Sequence, residues 1–311
     1  MKPLFMWAGG KTRVIKHYSQ FMPQDFRTYY EPFFGGGAMF VHVMNNYKPD
    51  HVVLNDANEG IINIYRAIRS DVGEFINHLE SLSAKYIPLN KEDRKKLYYD
   101  IRHEHAYNYL SWSPIQEAAT LYFLMRTGFN GIWQINKNTN NRFGTPSGLL
   151  NQKDVIYDIE VVRWWHHALQ NVIIAKGDWR DVCGDDPTGF FFFDPPYRDS
   201  FADYGNAFDN DALTDLIDFA DRQEQVFVCN RADDDYFDNI NNSLNVHYFD
   251  ITYTAGRRKR TDQGHAAKKA REILLYKVKR NNPLMDSLQG VPLAAQQGDN
   301  PVMISATKQR T

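Results

Sequence analysis

Residues 28–37, TYYEPFFGGG, give the clearest indication of how this chain folds. Residues 28–31 are a short β-prone run that ends in a proline and three glycines, and residues 38–46 can follow as a helix. A second apolar run, 52–54, then ends at Asn55 and Asp56. The order of strand, glycine turn, helix and strand is typical of the opening of a parallel α/β sheet.

The same pattern returns in the second half of the chain. Continuous apolar runs, as expected for strands buried on both faces, predict further strands at 172–175, 190–193, 226–228, 246–251 and 273–278. Apolar residues at helical spacing predict a helix over 211–222. The chain is therefore predicted to be an α/β protein.

The segment between these two halves has a different character. It is charged, and it predicts helices at 61–69, 72–82, 92–108 and 115–127 before an asparagine-rich loop at 128–148. A loop of that length in a compact domain is usually functional or disordered. We predict an α/β domain formed by residues 1–58 and 151–281, a helical insertion at 59–150, and a flexible tail at 282–311.

The composition excludes several classes of protein. With 311 residues, of which 43% are hydrophobic and 24% charged, the chain has the balance of an ordinary globular protein. No apolar run approaches the roughly 20 residues of a membrane span, and the expected location is cytoplasmic. The two cysteines, Cys183 and Cys229, lack CxxC spacing, which argues against a zinc site or a disulfide framework, and no metal is predicted.

The charge distribution leaves nucleic-acid binding open. The net charge of −2 does not indicate it, but a phosphate backbone binds to a local basic surface rather than to the average charge. One basic segment, GRRKR at 256–260, is followed by Lys268, Lys269 and Arg271. A solvated basic loop explains this segment as well as a phosphate contact does.

The sequence DPPY, residues 194–197, carries the strongest chemical signal. It follows four phenylalanines and so forms a rigid tip at the carboxyl end of a predicted strand, where open α/β sheets bind ligands. The Asp194 carboxylate and the Pro195 carbonyl match the two N–H donors of an exocyclic amino group, whose nitrogen lone pair then stays free to attack an electrophilic methyl. Tyr197 offers a face on which a base can stack. A plain Pro-Pro turn with an aspartate cap is the alternative.

Two further segments point to a nucleotide-like ligand. The glycines at 35–37 allow close backbone approach, and the helix that follows offers free N–H groups. Asp56 comes about 20 residues later, where an acid accepts ribose hydroxyls in Rossmann-like sites, although the glycine pattern is neither GxGxxG nor a P-loop. In WAGGK, residues 7–11, Trp7 could cover an adenine ring and Lys11 could meet a carboxylate or a phosphate. A hydrophobic anchor explains this last segment equally well.

Taken in chain order, these motifs resemble those of the Dam-like, alpha-group DNA adenine-N6 methyltransferases, over nearly the whole chain up to about Val278. The matching segments are WAGGK at 7–11, EPFFGGG at 31–37, Asp56, RTGFNG at 126–131, Gly177-Asp178, DPPY at 194–197, the strand end at 227–231 and REIL at 271–274. The resemblance implies a Rossmann-like class I methyltransferase sheet, mostly parallel with one antiparallel edge strand. It also implies that the helical insertion is a target-recognition domain.

The activity that the resemblance implies is transfer of a methyl group from S-adenosyl-L-methionine to N6 of adenine. The substrate would be a short duplex sequence, GATC or a related site, with the target base flipped out of the duplex. Asp194, Pro195, Pro196 and Tyr197 would hold that base, and Asp178 would bind the adenine amino group of the cofactor. The residues implied to line the cofactor site are Trp7, Ala8, Gly9, Lys11, Phe33, Gly35, Gly37, Asp56, Asp178 and Asp194.

The implied partner is double-stranded DNA, and a monomer without an obligate protein partner is expected. The enzyme would act in a bacterial cell or be encoded by a phage, as a housekeeping or a restriction-linked methyltransferase. Phe129 or Asn130 would enter the space left by the flipped base, and basic residues within 257–271 would contact phosphates, which position the enzyme without specifying sequence. The DNA-contacting residues implied are Lys11, Arg126, Phe129, Asn130, Gln134, Asn136, Arg142, Arg257, Arg258 and Arg260.

The sequence departs from the family in the loop that is expected to read DNA. Members that modify GATC tend to carry Arg-Tyr-Asn after the FNG turn, whereas Ile132, Trp133 and Gln134 follow it here. Arginine pairs with guanine, while glutamine suits adenine. Arg142-Phe143 also stands where the family usually has Phe-Asn-Val-Pro. GATC is the default and a different short site stays open, as do an RNA or protein-glutamine methyltransferase and a catalytically silent DNA-binding module.

Overall fold

Six of the described α-helices begin at a side chain that accepts a hydrogen bond from their first turn, which satisfies backbone N–H groups that otherwise lack partners. The capping residues are Asn58, Asp71, Asn90, Ser113, Asp158 and Asp209. In this computed structural model the helices are α1 (Ile15–Tyr18), α2 (Ala38–Asn46), α3 (Glu59–Ser70), α4 (Val72–Tyr86), α5 (Lys91–Tyr107), α6 (Pro114–Thr127), α7 (Ile159–Ala168) and α8 (Asn210–Asp221).

Seven of the described strands form one sheet. The strands are β1 (Thr28–Glu31), β2 (His51–Asp56), β3 (Ile135–Asn136), β4 (Arg142–Phe143), β5 (Val172–Lys176), β6 (Gly189–Phe193), β7 (Val226–Arg231), β8 (Asn245–Tyr253), β9 (Lys259–Thr261), β10 (Gly264–Ala266) and β11 (Lys268–Lys277). The sheet has the order β5-β2-β1-β6-β7-β11-β8. Its neighbouring strands are parallel, except that β11 runs antiparallel to β7 and to β8. The predicted Rossmann-like fold class is confirmed. The reversed strand is β11, which lies next to the outermost strand, β8.

The structure describes residues 1–7, 9–148, 155–197, 208–232, 236–239, 242–253, 259–261, 264–266 and 268–279, and only the backbone of 238–239 and of 252–270 within these ranges. The chain divides into two compact units, Met1–Val278 and Lys279–Thr311. The sheet and the helices belong to the first unit, and the predicted tail, 282–311, lies outside the described residues. Among the described residues, no helix is long and apolar enough to cross a membrane.

Strand β6 packs into a hydrophobic layer on each face of the sheet. Phe190 and Phe192 belong to one cluster, Phe191 and Phe193 belong to the other, and all four are buried. This alternation follows from the two-residue repeat of a strand. Helices α2, α3 and α7 contribute to the first cluster and α8 to the second, so both faces are covered. Burial on both faces explains why the strand is apolar at each of these positions.

The strand order reverses between β1 and β6, which pair side by side. Strands β2 and β5 extend the sheet beyond β1, while β7 extends it beyond β6. In open α/β sheets, ligands bind outside the carboxyl ends of the strands at such a point. Here the carboxyl end of β1 is Glu31, and Asp194 directly follows β6.

The helices predicted between residues 60 and 127 are confirmed as α3 to α6. Helices α4 and α5 pack on α6, whereas α3 packs on α6, on α7 and on the sheet strands β2 and β5. The segment 128–148, predicted as a loop, instead contains a short antiparallel hairpin, β3–β4. Helix α7 was not predicted. The extent of the proposed recognition domain, 59–150, stays a prediction.

Candidate active site

A cleft of about 1420 Å³ opens at the point where the strand order reverses. All four predicted catalytic residues line it, together with the predicted cofactor-site residues that the structure describes. These residues are Trp7, Gly9, Lys11, Phe33, Gly35, Gly37, Asp56, Asp178, Asp194, Pro195, Pro196 and Tyr197. Ala8, Arg257 and Arg258 lie outside the described residues, and only the backbone of Arg260, in β9, is described.

The glycine turn after β1 forms a cradle against the indole of Trp7. Gly35 and Gly37 have φ of 46° and 65°, a left-handed backbone conformation that residues other than glycine rarely adopt. A Cβ on Gly35 would lie 2.5 Å from Trp7 Nε1, and one on Gly36 would lie 2.9 Å from Trp7 Cβ. The close approach of indole and backbone therefore requires glycine at these positions.

Asp56, at the end of β2, fixes this cradle. Its Oδ2 accepts a hydrogen bond of 2.7 Å from the Gly35 amide, and its Oδ1 accepts one of 2.8 Å from the Asn58 amide. Burial raises the pKa of Asp56, and these two amides oppose that rise. Each carboxylate oxygen has a second lone pair, so Asp56 can still accept hydroxyl donors from a ligand.

Asn55, inside β2, holds together two segments that line the cleft, and the sequence alone predicted no role for it. Its buried amide donates to Pro32 O at 3.1 Å and to Gly177 O at 3.0 Å. It thereby ties the segments that follow β1 and β5 to the end of β2. The only signal in the sequence was a polar residue directly before Asp56.

Lys11 and Asp194 form a buried ion pair across the cleft. Lys11 Nζ lies 2.6 Å from Asp194 Oδ1 and 2.7 Å from Oδ2. It also donates to Gly9 O at 2.9 Å and lies 4.7 Å from the centre of the Tyr197 ring. Burial raises the pKa of Asp194 to about 6, because the lowering effect of Lys11 is incomplete and Glu272 opposes it. Burial also lowers the pKa of Lys11, but Asp194 and Glu272 outweigh this and the net pKa is raised.

Two further buried carboxyl groups line the cleft, Glu31 at the end of β1 and Glu272 on β11. The Tyr29 hydroxyl donates to Glu31 Oε2 at 2.8 Å, and burial raises the pKa of Glu31 well above its usual range. Both residues lie in motifs that carry the family resemblance, EPFFGGG and REIL, but the sequence predicted no role for either. Among the described residues, no three His, Cys, Asp or Glu side chains are arranged to hold a metal ion.

Two other predicted cofactor-site residues have protein partners. Asp178 is exposed and accepts a hydrogen bond of 3.2 Å from Arg180, which also donates to Asp215 at 2.8 Å. Phe33 packs edge-to-face with Phe208, with 5.5 Å between ring centres. Both residues remain on the cleft lining, so these contacts orient them without closing the site.

Arg126, Phe129 and Asn130 also line the cleft. Phe129–Gly131 form a single turn in which Asn130 is exposed and has a φ of 53°. Arg126 Nε donates to Ile156 O at 2.7 Å. The structure therefore brings the FNG turn and the DPPY tip to one cleft.

Gln134, Asn136 and Arg142 are not part of the cleft lining and lie on or beside the hairpin β3–β4. Gln134 is exposed, whereas Asn136 Oδ1 accepts a hydrogen bond of 2.8 Å from the Asn138 amide. Arg142 is ion-paired with Glu117 of α6. Of the three, Gln134 has the side chain most accessible to a partner.

Comparison with known proteins identifies the family. Residues 7–259 match the family described as D12 class N6 adenine-specific DNA methyltransferase. The chain belongs to this family. The predicted Dam-like membership is confirmed, and this member of the D12 class is an enzyme of DNA adenine methylation.

Three relatives of this chain are named as methyltransferases or methylases. The chain is 29% identical over 262 residues to the type II methyltransferase M.MjaIII of Methanocaldococcus jannaschii, and the match covers 79% of this chain and 90% of that protein. It is 32% identical over 212 residues to the type II methyltransferase M.CviBI of Paramecium bursaria Chlorella virus NC1A, with coverage of 66% and 72%. It is 25% identical over 237 residues to the DNA adenine methylase of Haemophilus influenzae, with coverage of 73% and 78%.

Proposed function

We propose that this protein transfers a methyl group from S-adenosyl-L-methionine to N6 of an adenine in a short duplex DNA sequence, and that it flips the target base out of the duplex. The observation that carries the proposal is the single cleft shared by the glycine cradle after β1 and the DPPY tip after β6. A cofactor in the cradle and a base at the tip would be neighbours, as direct transfer requires.

The described residues fit S-adenosyl-L-methionine. The turn at 35–37 leaves no room for a Cβ, Asp56 retains acceptors for ribose hydroxyls, and the exposed Asp178 can accept from an adenine amino group. The buried carboxyl groups of the cleft suit a ligand with a sulfonium and an ammonium group. When bound, this cofactor supplies a methyl group that is electrophilic because it is carried on a positively charged sulfur.

Asp194, Pro195 and Tyr197 would hold the adenine. With a pKa of about 6, Asp194 is ionised at neutral pH and can accept one amino proton, while the Pro195 carbonyl accepts the other. Tyr197 stacks on the base. The nitrogen lone pair then points away from both acceptors. No general base is needed, because the amino proton can leave after the methyl has moved, and positioning and electrostatics supply the rate.

The target adenine has to leave the base stack, because its amino group is not accessible to an in-line attack inside the duplex. Phe129 and Asn130 are the residues that we propose to fill the gap, since their turn lines the same cleft as Tyr197. Unstacking a base costs a few kcal/mol, and an inserted side chain offsets part of that cost.

Sequence recognition is proposed to lie in the helical insertion, residues 59–150. Gln134 is exposed beside the hairpin and, as glutamine, suits an adenine edge in the major groove. The site is GATC or a related short sequence. Because Glu117 engages Arg142, we propose that Arg142 and Asn136 shape the hairpin, while Arg257, Arg258 and Arg260 contact phosphates.

The direct test incubates the purified protein with duplex DNA and cofactor labelled in the methyl group, followed by digestion to nucleosides. Label is expected in N6-methyldeoxyadenosine. A folded Asp194→Ala variant is expected to lose about 100-fold or more in rate, whereas Asp50→Ala, at the opposite end of the parallel strands, keeps the wild-type rate. Label that appears only in RNA or in protein glutamine would contradict the proposal.

A further inference from the structure

Lys11 occupies the position in the cleft where the target amino group is proposed to bind. Its ammonium donates to Asp194 Oδ2 at 2.7 Å, lies 2.6 Å from Asp194 Oδ1, and lies 4.7 Å from the centre of the Tyr197 ring. These are the acceptor and the stacking face proposed for the adenine, so a role for Lys11 in base binding rests on the proposed function. Only 3% of the lysine side chain is exposed, and an incoming base has to displace it.

A displaced ammonium needs another anionic partner inside the protein, because an unpaired buried charge is strongly unfavourable. Glu272 meets this need. It lies on β11 between Arg231 of β7 and Phe249 of β8 in the sheet register, its side chain is 2% exposed, and it lines the cleft with Lys11 and Asp194. Its charge reaches both members of the ion pair, since it raises the pKa of each.

We infer that Glu272 is a positioning residue that receives Lys11 when the target base enters, so that the ammonium moves from Asp194 in the free enzyme to Glu272 in the loaded one. No proton is transferred and no covalent bond changes in this exchange. In the free enzyme Lys11 keeps Asp194 in place as an acceptor. With the base bound, Asp194 is released to the amino group while the positive charge stays paired.

Arg231 of β7 is the cross-strand neighbour of Glu272 and brings a cationic side chain beside it. Other titratable groups of the described chain near this cluster include Glu31 on β1, Cys229 on β7 and Tyr18 on α1. Burial raises the pKa of each well above its usual range. Tyr18 and Cys229 are therefore uncharged at neutral pH, and Glu31 already accepts the hydroxyl of Tyr29. Apart from Asp194, Glu272 is the carboxyl group whose charge acts on Lys11, and it is therefore the partner that we assign to the displaced ammonium.

The first test is a double-mutant cycle on kcat with Glu272→Gln, Lys11→Met and the double variant. Glu272→Gln is expected to lower kcat about tenfold, because the lysine no longer has a second partner, with little change in cofactor affinity. In the Lys11→Met background the same substitution is expected to leave kcat unchanged. A loss of equal size in both backgrounds would overturn the inference. Glu160→Gln, on the exposed surface of α7, is the control for charge removal.

The pH profile of kcat/KM distinguishes positioning from a structural role. Since Glu272 raises the pKa of Asp194 and Lys11 lowers it, the acid limb is expected to move to lower pH in Glu272→Gln and to higher pH in Lys11→Met. If the acid limbs of the wild type and both variants coincide while adenine is still methylated, the role of Glu272 is overturned but the proposed function is not. Absence of adenine methylation by the wild type would overturn the proposed function as well.

A second measurement needs no variant. A crystal structure of the wild-type protein with S-adenosylhomocysteine and a duplex that contains its site is expected to show Lys11 Nζ on Glu272 and the adenine amino group on Asp194. A flipped adenine in the cleft with Lys11 Nζ still bonded to Asp194 would overturn the exchange. A duplex bound without any flipped base would contradict the proposed function instead.

Discussion

At the scale of single residues, the cleft holds ionisable groups in places where burial opposes their charge. Burial raises the pKa of Glu31, Asp56 and Asp194, an arrangement more typical of function than of stability. Sequence motifs predicted Asp56, Asp194 and Lys11 as site residues. They could not predict the Lys11–Asp194 ion pair, because its partners are 183 residues apart in the chain and only the folded sheet brings them together.

The raised pKa of Asp194 predicts an acid limb in the activity of the wild type. Its usual value is 3.8 and its value in the fold is about 6, so the ionised acceptor is present above that pH and is lost as the pH falls through it. Because kcat/KM reports ionisations of the free enzyme, it is expected to fall below about pH 6. A profile that stays flat down to pH 4.5 in a protein that remains folded would refute this assignment.

Gly35→Ala tests the cradle. The substitution combines a left-handed backbone with a Cβ that would lie 2.5 Å from Trp7 Nε1, and we expect it to lower the free energy of unfolding by about 1–3 kcal/mol and to weaken cofactor binding. Urea unfolding and titration with cofactor measure the two effects. Gly184→Ala is the control, because Gly184 is exposed and nothing lies within 4 Å of its Cβ position. Equal behaviour of the two variants would contradict the proposed close approach.

At the scale of elements, the hairpin β3–β4 is too short to be stable alone, since each strand has two residues. The helices beside it hold it in place. Arg102 of α5 donates to Gly144 O at 2.8 Å, and Arg142 of the hairpin pairs with Glu117 of α6. The hairpin could not be predicted from its own sequence, because these contacts come from residues that lie earlier in the chain.

Other elements could be predicted from the sequence. The strand predicted at 28–31 and the helix predicted at 38–46 have the bounds of β1 and α2. Strand β11 begins at Lys268 rather than near Ile273, because pairing with β8, and not apolar patterning, forms its first half. Helix α7 shows a missed signal, since Asp158 caps it and its buried Val161, Val162 and Trp165 have helical spacing.

Arg142→Met tests whether the hairpin depends on its anchor. The Arg142 and Glu117 side chains are 23% and 12% exposed, between surface and buried pairs, and we expect a loss of about 2 kcal/mol in the free energy of unfolding. Discrimination between duplexes is expected to fall while cofactor affinity is kept. The control is Arg163→Met, which removes an exposed ion pair with Glu160. An equally small effect in both variants would show that the anchor does not stabilise the hairpin.

At the scale of the whole molecule, DNA binding has to work against a net charge of −2, so local basic segments have to supply the phosphate contacts. For Arg257→Ala combined with Arg258→Ala, the slope of log affinity against log salt is expected to fall by about 2, one for each arginine removed. The control pair, Arg27→Ala with Lys48→Ala, removes exposed charges just before β1 and β2, away from the carboxyl ends of the strands. An unchanged slope in the first pair would exclude its arginines from phosphate binding.

Methyl transfer to adenine N6 at a short DNA site can be tested in a host that lacks adenine methylation. The protein is expressed there, and N6-methyladenine is mapped across the genome at single-base resolution. We expect methylation to be confined to one short motif, whose sequence also shows whether Gln134 moves recognition away from GATC. Unmodified genomic DNA in cells that contain the folded, cofactor-binding protein would show that DNA adenine is not its substrate.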